Sequence, residues 1–227
     1  MKKIACYCLT RNLYPLIWPS LNSMLERGNV DKVCILAEDD EIAPAVQLPE
    51  QVEVLNVSGQ KFFSAAGPNY LNKWTYMAMM KTVMSEIFPT MSRVLTIDHD
   101  TVILGDISEL WEIPLNSFYL AGAREPYWTR VYGRDYINTG VLMWNIDKMI
   151  QDDMTDRLIY KLNTQHYPLH EQECINETLK DGKYVFDSAF NFCDYVEPPT
   201  REIKIIHLAG RTWKESFMYH EIWGKRG

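Results

Sequence analysis

Short runs of β-branched and apolar residues alternate along the chain with segments of helical periodicity, and this alternation most constrains the fold. The predicted strands are residues 4–9, 32–37, 52–57, 93–97, 117–122, 139–144, 183–186 and 204–208. The predicted helices are residues 16–27, 71–88, 148–162 and 171–180. Strands that alternate with helices in this way predict an α/β fold with a mixed, mostly parallel sheet flanked by helices.

The chain is predicted to form a single domain over residues 1–227. Its prolines at positions 44, 49, 68, 114, 126, 168, 198 and 199 fall between the predicted elements, and the sequence contains no internal repeat, low-complexity tract or long linker. A chain of 227 residues is long enough to bury a sizeable core within one α/β domain.

The net charge and the cysteines indicate which partners and which cellular compartment to expect. The net charge of -7 argues against a nucleic-acid partner, because such proteins usually carry a basic balance. The five cysteines are an odd, scattered set without a CxxC spacing, which favours reduced thiols. The short apolar run after the first lysines lacks a cleavage site, and no segment has the length of a membrane span. We therefore expect a cytoplasmic protein without a transmembrane segment.

Two carboxylates one residue apart follow the predicted strand at residues 93–97. Asp98 and Asp100 would lie beyond the carboxyl end of that strand, where open α/β sheets bind their ligands. Hard oxygen ligands suit Mg²⁺ or Mn²⁺, and such ions commonly join protein carboxylates to substrate phosphates. The alternative is a charged turn, since a tripeptide of this kind is common. However, a buried strand has no need of acids for solubility at its end.

The same stretch resembles two protein families. In haloacid-dehalogenase-like phosphatases, an Asp-x-Asp motif follows a strand, and the resemblance would make Asp98 a phosphorylated nucleophile and Asp100 a general acid/base. That motif normally lies near the start of its domain, whereas about ninety residues precede it here. The later catalytic residues of that family have no convincing match, and Asp152 and Asp153 lie within a predicted amphipathic helix.

Five ordered segments resemble glycosyltransferase family 8, the retaining enzymes that include glycogenin and bacterial galactosyl- and glucosyltransferases. They are the opening ACYCLTRNLYPLIWPSLNSML, the block VLTIDHDTVILGDISELW, the strand YINTGVLMWN, the segment HEQECIN and the segment IHLAGRTWK. Five matches in the family's order are far more specific than any one alone. The resemblance implies a GT-A fold and a hexose transfer from a UDP-sugar, UDP-glucose or UDP-galactose, with retention of anomeric configuration.

The resemblance also implies roles for individual residues. Asp98, Asp100 and His207 would hold a divalent cation, usually Mn²⁺ and alternatively Mg²⁺, against the donor's diphosphate. The residues implied in donor binding are Thr10, Asn12, Lys81, Asp98, His99, Asp100, Asn138, His207, Gly210 and Lys214. Lys73 is a rival to Lys81, and Arg211 to Lys214. His99, between the two acids, is not expected to be a metal ligand.

Asn138, Glu171 and Gln172 are the implied catalytic residues, with Gln172 near the anomeric carbon. The family's pattern usually has Asp on both sides of this Gln, whereas this chain has Glu171 and Glu173. The longer side chains leave a third hypothesis open, a nucleotide-sugar binding protein without transferase activity.

Two further segments are candidate acceptor sites. The stretch EPYWTRVYGRD, residues 125–135, combines aromatic and charged residues and could stack against an acceptor sugar, or simply pack. The tail, residues 213–227, mixes aromatic, apolar and basic residues and could contact a membrane surface, or pack on the domain. The predicted acceptor is a glycan, a lipid-linked sugar or a protein.

Overall fold

A central seven-stranded sheet organises the computed structural model, which describes residues 2–41, 48–71 and 74–209. The strands are β1 (Ile4–Leu9), β2 (Lys32–Ala37), β3 (Val52–Asn56), β4 (Arg93–Ile97), β5 (Thr101–Ile103), β6 (Leu120–Ala123), β7 (Val141–Asn145), β8 (Lys183–Phe186) and β9 (Ile205–His207). The α-helices are α1 (Trp18–Arg27), α2 (Thr75–Met79), α3 (Met84–Ile87), α4 (Ser108–Glu112), α5 (Pro126–Tyr132), α6 (Ile146–Gln151), α7 (Met154–Thr164) and α8 (His170–Leu179). Turns of 3₁₀-helix cover Arg11–Leu16, Met80–Val83 and Ser188–Phe190.

The strand order of the sheet is β3-β2-β1-β4-β7-β6-β8. Only β7 runs against the others, since it pairs antiparallel with both β4 and β6, while the remaining pairs are parallel. The carboxyl ends of the other six strands therefore meet at one edge of the sheet. Because β7 is reversed, the residues that precede it reach the same edge.

A separate two-stranded ribbon joins β5 to β9. The pair is antiparallel, with Thr101 opposite His207 and Ile103 opposite Ile205. The ribbon brings His207 to the turn that follows β4. This connection spans more than a hundred residues of sequence.

Apolar side chains bury both faces of the sheet. One cluster, which includes Tyr7, Leu21 and Trp111, packs α1, α4 and the ribbon against one face. The other, which includes Met80, Trp144 and Leu158, packs α2, α3, α6, α7 and α8 against the opposite face. Such two-sided covering is what a mostly parallel sheet requires, so the predicted fold class is confirmed.

The strand predictions agree with the structure in position, with small shifts at β3, β6, β7 and β9. Two predicted helices are not continuous in the structure. The predicted helix at residues 71–88 is divided into α2, a 3₁₀ turn and α3. The predicted helix at residues 148–162 is divided into α6 and α7 by Asp152 and Asp153, and Asp153 has a left-handed backbone.

Three short elements, β5, α4 and α5, have no counterpart among the predicted elements. The aromatic stretch that was expected between two strands forms α5, an exposed helix without buried residues. Within the part of the chain that the structure describes, no helix is both long and apolar enough to cross a membrane.

Candidate donor and metal site

Polar side chains gather at the edge of the sheet where the strands end. Asp98 follows β4, Glu125 follows β6, and Asn138 and Thr139 precede the reversed strand β7. Ligands of open α/β sheets bind at this edge, beyond the carboxyl ends of the strands. The topology therefore brings together groups that lie far apart in the sequence.

Asp98, Asp100 and His207 lie close enough to share one metal ion. Their nearest ligand atoms all fall within 4.8 Å of one another. His207 Nε2 is 3.4 Å from Asp100 Oδ1 and 3.7 Å from Asp98 Oδ2. Two ligands at right angles on an ion bonded at about 2.1 Å are roughly 3.0 Å apart, so small movements would complete such a site.

Hydrogen bonds around His207 orient its ring so that Nε2 faces the two carboxylates, where a bound metal would replace the Nε2 proton. Asn191 Nδ2 donates to Asn138 Oδ1 at 2.9 Å, and this hydrogen bond orients the amide so that its oxygen faces His207. That oxygen, Oδ1, lies 2.8 Å from His207 Nδ1 and accepts its proton in a hydrogen bond. In metalloproteins a histidine ligand is commonly held in this way through its second nitrogen.

Charge and close packing fix the His207 ring beside the carboxylates. Burial alone would lower the pKa of His207, but Asp100 raises it well above its ordinary value. Conversely, His207 holds the pKa of Asp100 well below its usual range, despite the opposite effect of burial. Gly140 leaves space for the ring, since a Cβ there would lie 2.0 Å from His207 Cε1. The three groups therefore form a compact, negatively charged pocket that suits a divalent cation.

Lys81 joins the metal-ligand cluster to the predicted catalytic helix. Its Nζ lies 2.6 Å from Asp98 Oδ1 and 3.5 Å from Glu171 Oε1, and it also donates to the main-chain oxygen of Thr139. Burial would lower the pKa of Lys81, but Asp98 and Glu171 raise it above its ordinary value. Lys81 is therefore a buried cation that two carboxylates share.

Gln172 lies at the start of α8, beside β7 and β6. The main-chain N–H of Thr139 donates to Gln172 Oε1 at 3.1 Å, and Gln172 Nε2 donates to Glu125 Oε1 at 3.3 Å. Asn138 Nδ2 donates to the same oxygen of Glu125 at 2.7 Å. Asn138, Gln172 and Glu125 thus form one network next to the metal-ligand cluster.

Glu125 and Asn191 are residues of this site that the sequence patterns do not identify. Glu125 is buried, and burial raises its pKa above the ordinary value despite the amide donors of Asn138 and Gln172. An acid after a strand is a recognisable signal, but β6 was predicted to end one residue early. Asn191 lies after a 3₁₀ turn that carries no recognisable motif, so no pattern identified it.

The other predicted site residues are more exposed or lie outside the described residues. Thr10 and Asn12 follow β1 at the same edge, and Thr10 Oγ1 donates to Asn12 Oδ1 at 2.6 Å. His99 is half-buried and does not belong to the group of possible metal ligands among the described residues. Gly210, Lys214, the rivals Lys73 and Arg211, and the tail at residues 213–227 lie outside the described residues.

Comparison with known proteins identifies the family. The family model described as glycosyl transferase family 8 matches residues 39–215. A glycosyltransferase of Streptococcus pneumoniae, GlyE, is 31% identical over 107 residues, which cover 46% of this chain and 25% of GlyE. A putative glycosyltransferase of Haemophilus influenzae is 23% identical over 136 residues, which cover 55% of this chain and 40% of the relative. The matches thus span less than half the length of these two relatives.

Solved structures agree on the fold. The galactosyltransferase LgtC, solved in complex with donor and acceptor sugar analogues, has a TM-score of 0.73 at 15% identity, covering 97% of this chain and 95% of LgtC. The structure of GlyE has a TM-score of 0.71 at 18% identity, covering 99% of this chain and 60% of GlyE. The chain belongs to glycosyltransferase family 8 and has its GT-A fold. A phosphatase role for Asp98 and Asp100 has no support from these comparisons.

Proposed function

We propose that the protein is a metal-dependent, retaining hexosyltransferase whose donor is a UDP-sugar, UDP-glucose or UDP-galactose. The observation that carries the proposal is the meeting of Asp98, Asp100 and Nε2 of His207 at the sheet edge. The amide of Gln172 and the carboxylate of Glu125 lie beside them in one hydrogen-bonded network. We also propose that these elements belong to one catalytic domain.

Asp98, Asp100 and His207 would hold Mn²⁺, or alternatively Mg²⁺. Two carboxylates and an imidazole form a donor set that suits Mn²⁺. Such a cation, when bound, supplies positive charge to the diphosphate that leaves. The chain's own contribution is a fixed, buried set of charges and dipoles, which needs little reorganisation during the reaction.

The remaining groups orient the sugar. Asn138 and Gln172 are held rigidly, because each donates to Glu125 and Gln172 also accepts from Thr139. Glu125 and Glu171 are both buried carboxylates, but each is already engaged by neighbouring donors. This arrangement supports attack by the acceptor hydroxyl on the same face that the diphosphate leaves, which retains the anomeric configuration.

Release of UDP from UDP-glucose or UDP-galactose in the presence of Mn²⁺ tests the proposal. We expect turnover that falls at least about a hundredfold in Asp100→Asn, because one metal ligand and its charge are weakened. Asp156→Asn, at an exposed position of α7, is the matched control and should keep full activity. Tight UDP binding without turnover for any acceptor would instead show a binding protein. Nucleotide-independent hydrolysis of a phosphomonoester would contradict the proposal.

The exposed face of α5 is the proposed acceptor platform. The rings of Trp128, Tyr132 and Tyr136 pack together, with Tyr132 and Tyr136 stacked at 5.4 Å. Tyr132 donates to Glu173 Oε1 at 2.9 Å, one residue beyond Gln172. Tyr127, at the start of the helix and two residues after Glu125, is 60% exposed. An exposed ring beside buried acids offers stacking and hydrogen bonds together, which suits a sugar acceptor such as a glycan or a lipid-linked or protein-linked saccharide.

Tyr127→Ala tests the platform separately from the donor site. We expect the KM for a productive acceptor to rise by about tenfold, while UDP release to water stays unchanged. Tyr160→Ala, at an exposed tyrosine of α7, is the control. An equal loss of both activities would show that Tyr127 supports the donor site instead.

A further inference from the structure

His170, the first residue of α8, lies fully buried between two hydrogen-bond acceptors. Its Nδ1 is 2.8 Å from Glu171 Oε2, and its Nε2 is 2.9 Å from the main-chain oxygen of Asn69. Its backbone is left-handed, with φ of +56°, a conformation that is uncommon for a residue with a side chain. Neither the metal-ligand cluster nor the donor-binding residues account for a histidine at this position.

The two partners fix the protons on the ring. A main-chain carbonyl can only accept, so Nε2 carries a proton. The Asn69 carbonyl is held in place, because the Asn69 side chain bonds the main chain of Leu162, Gln165 and Tyr167. Glu171 is ionised and can also only accept, so Nδ1 carries a proton as well. A ring with both nitrogens protonated is an imidazolium.

The positive charge of His170 completes a buried chain of alternating charges. The order is His170, Glu171, Lys81 and Asp98, with Glu171 using one oxygen for His170 and the other for Lys81. Lys81 is closer to Asp98, at 2.6 Å, than to Glu171, at 3.5 Å. If His170 were neutral, Glu171 would keep only Lys81 as a charged partner and would compete with Asp98 for it.

We propose that His170 is a positioning residue for sugar transfer: its imidazolium holds Oε2 of Glu171 and thereby keeps Lys81 on Asp98. This role rests on the proposed function, since Asp98 is a proposed metal ligand. It also accounts for a glutamate at position 171. The longer side chain needs a second anchor, and His170 provides it from the neighbouring position of the same helix.

Electrostatics agree with the geometry. Burial would lower the pKa of His170, but the hydrogen bond and charge of Glu171 raise it above the ordinary value, against a smaller opposing effect of Lys81. Burial would raise the pKa of Glu171, but Lys81 and His170 lower it to about 2. Among the residues that the structure describes, the titratable groups that face His170 are Glu171 from α8 and Lys81 from the 3₁₀ turn, while the loop before α2 contributes the Asn69 carbonyl and the Trp74 ring.

The protonation state can be measured on the wild-type protein without any substrate. Nitrogen-15 NMR of histidine-labelled protein at pH 7.5 should show a ring with both nitrogens protonated that is assigned to His170 and is distinct from the ring of His207, whose pKa Asp100 also raises. The signal should vanish in His170→Asn, and sequential assignment of the wild type identifies it if that variant does not fold. A His170 ring with one unprotonated nitrogen at pH 7.5 would overturn the proposal.

His170→Asn is the informative variant for activity. Asparagine tolerates the left-handed backbone and places an amide N–H near the position of Nδ1, but it carries no charge. We expect kcat/KM for the donor to fall about tenfold, as for residues that orient metal ligands. The wild type should lose activity at alkaline pH, where His170 deprotonates, and this loss should disappear in the variant. Activity and a pH profile equal to the wild type would contradict the proposal.

A double-mutant cycle shows whether His170 acts through Glu171. If it does, adding His170→Asn to Glu171→Gln should change kcat/KM by less than about twofold, whereas independent effects would multiply. Multiplying effects would refute the positioning role. If the wild type turns over no sugar nucleotide, the proposed function fails, and the NMR measurement still tests the imidazolium.

Discussion

Gly140 shows how closely the metal-ligand cluster depends on single residues. A Cβ at this position would lie 2.0 Å from His207 Cε1 and 2.4 Å from Nδ1, so Gly140→Ala must displace the ring. We expect a loss of about 1–3 kcal/mol in the free energy of unfolding, and weaker Mn²⁺ binding. Urea denaturation and calorimetric titration measure the two effects. Gly59→Ala is the control, since no atom of the described part of the chain lies within 4 Å of its Cβ position, and an equal effect there would contradict a steric cause.

Asn191 accepts the Nδ1 proton of His207 and thereby directs Nε2 towards the two carboxylates. Asn191→Leu keeps the side-chain volume but removes the acceptor, so we expect Mn²⁺ affinity to fall about 10–100-fold. Electron paramagnetic resonance of free Mn²⁺ measures the dissociation constant. Ser188→Ala, in the 3₁₀ turn before Asn191, removes a hydroxyl that has no hydrogen-bond partner among the described residues and should bind Mn²⁺ like the wild type. Unchanged affinity in Asn191→Leu would show that the amide does not orient the ligand.

Individual site residues differ in how far the sequence alone predicts them. Asp98 and Asp100 are identifiable because a buried strand gains nothing from acids at its end unless they bind a ligand. His207 resembles an ordinary strand histidine, and only the family resemblance distinguishes it from one. Glu125, like Asp98, is an acid that follows a buried strand, but the predicted end of β6 was one residue short. Asn191 acts only through its contact with His207, and a contact between distant residues leaves no local pattern.

At the scale of elements, the ribbon of β5 and β9 positions the metal-ligand cluster. Strand β5 has three residues, so its hydrophobic pattern was too short to predict, whereas β9 was predicted without its partner. The register places Thr101 opposite His207, and Leu208 N donates to the main-chain oxygen of Asp100. Pairing across more than a hundred residues depends on the tertiary fold, so the sequence could not reveal it.

The break between α6 and α7 offers a test of why a predicted helix is divided. Asp153 has φ of +52°, and its side chain makes no capping hydrogen bond. In this left-handed conformation a Cβ is unfavourable, so Asp153→Gly should be about 1 kcal/mol more stable than Asp153→Ala. Within α7, at Asp156, the order should reverse by a similar amount, because glycine weakens a helix interior. Thermal or urea unfolding of the four variants measures both differences, and the same order at both positions would rule out backbone strain as the cause.

On the scale of the whole molecule, one reversed strand unites the site. Because β7 runs against the other strands of the seven-stranded sheet, its preceding residues Asn138 and Thr139 join the carboxyl ends of β1, β4 and β6 at one edge. The fold class and most strands followed from hydrophobic patterns, since these record burial on the sheet. The direction of β7 did not, because parallel and antiparallel central strands bury similar residues. The position of the predicted metal ligand His207 depends on this topology, since Gly140, which leaves space for the His207 ring, lies directly before β7.

If the ligands from β4 and β9 hold one cation, metal and nucleotide should stabilise the whole fold. A ligand that binds only the folded state stabilises it by about 2.7 kcal/mol at a hundredfold excess over its Kd. For a chain of this size we therefore expect Mn²⁺ with UDP to raise Tm by about 5–10 °C. Chelation by EDTA should reverse the shift. Asp100→Asn should lose most of it, while Asp156→Asn keeps it. A shift in Tm of equal size in Asp100→Asn would show that the metal binds elsewhere, because Asp100 would then not be needed to bind it together with His207.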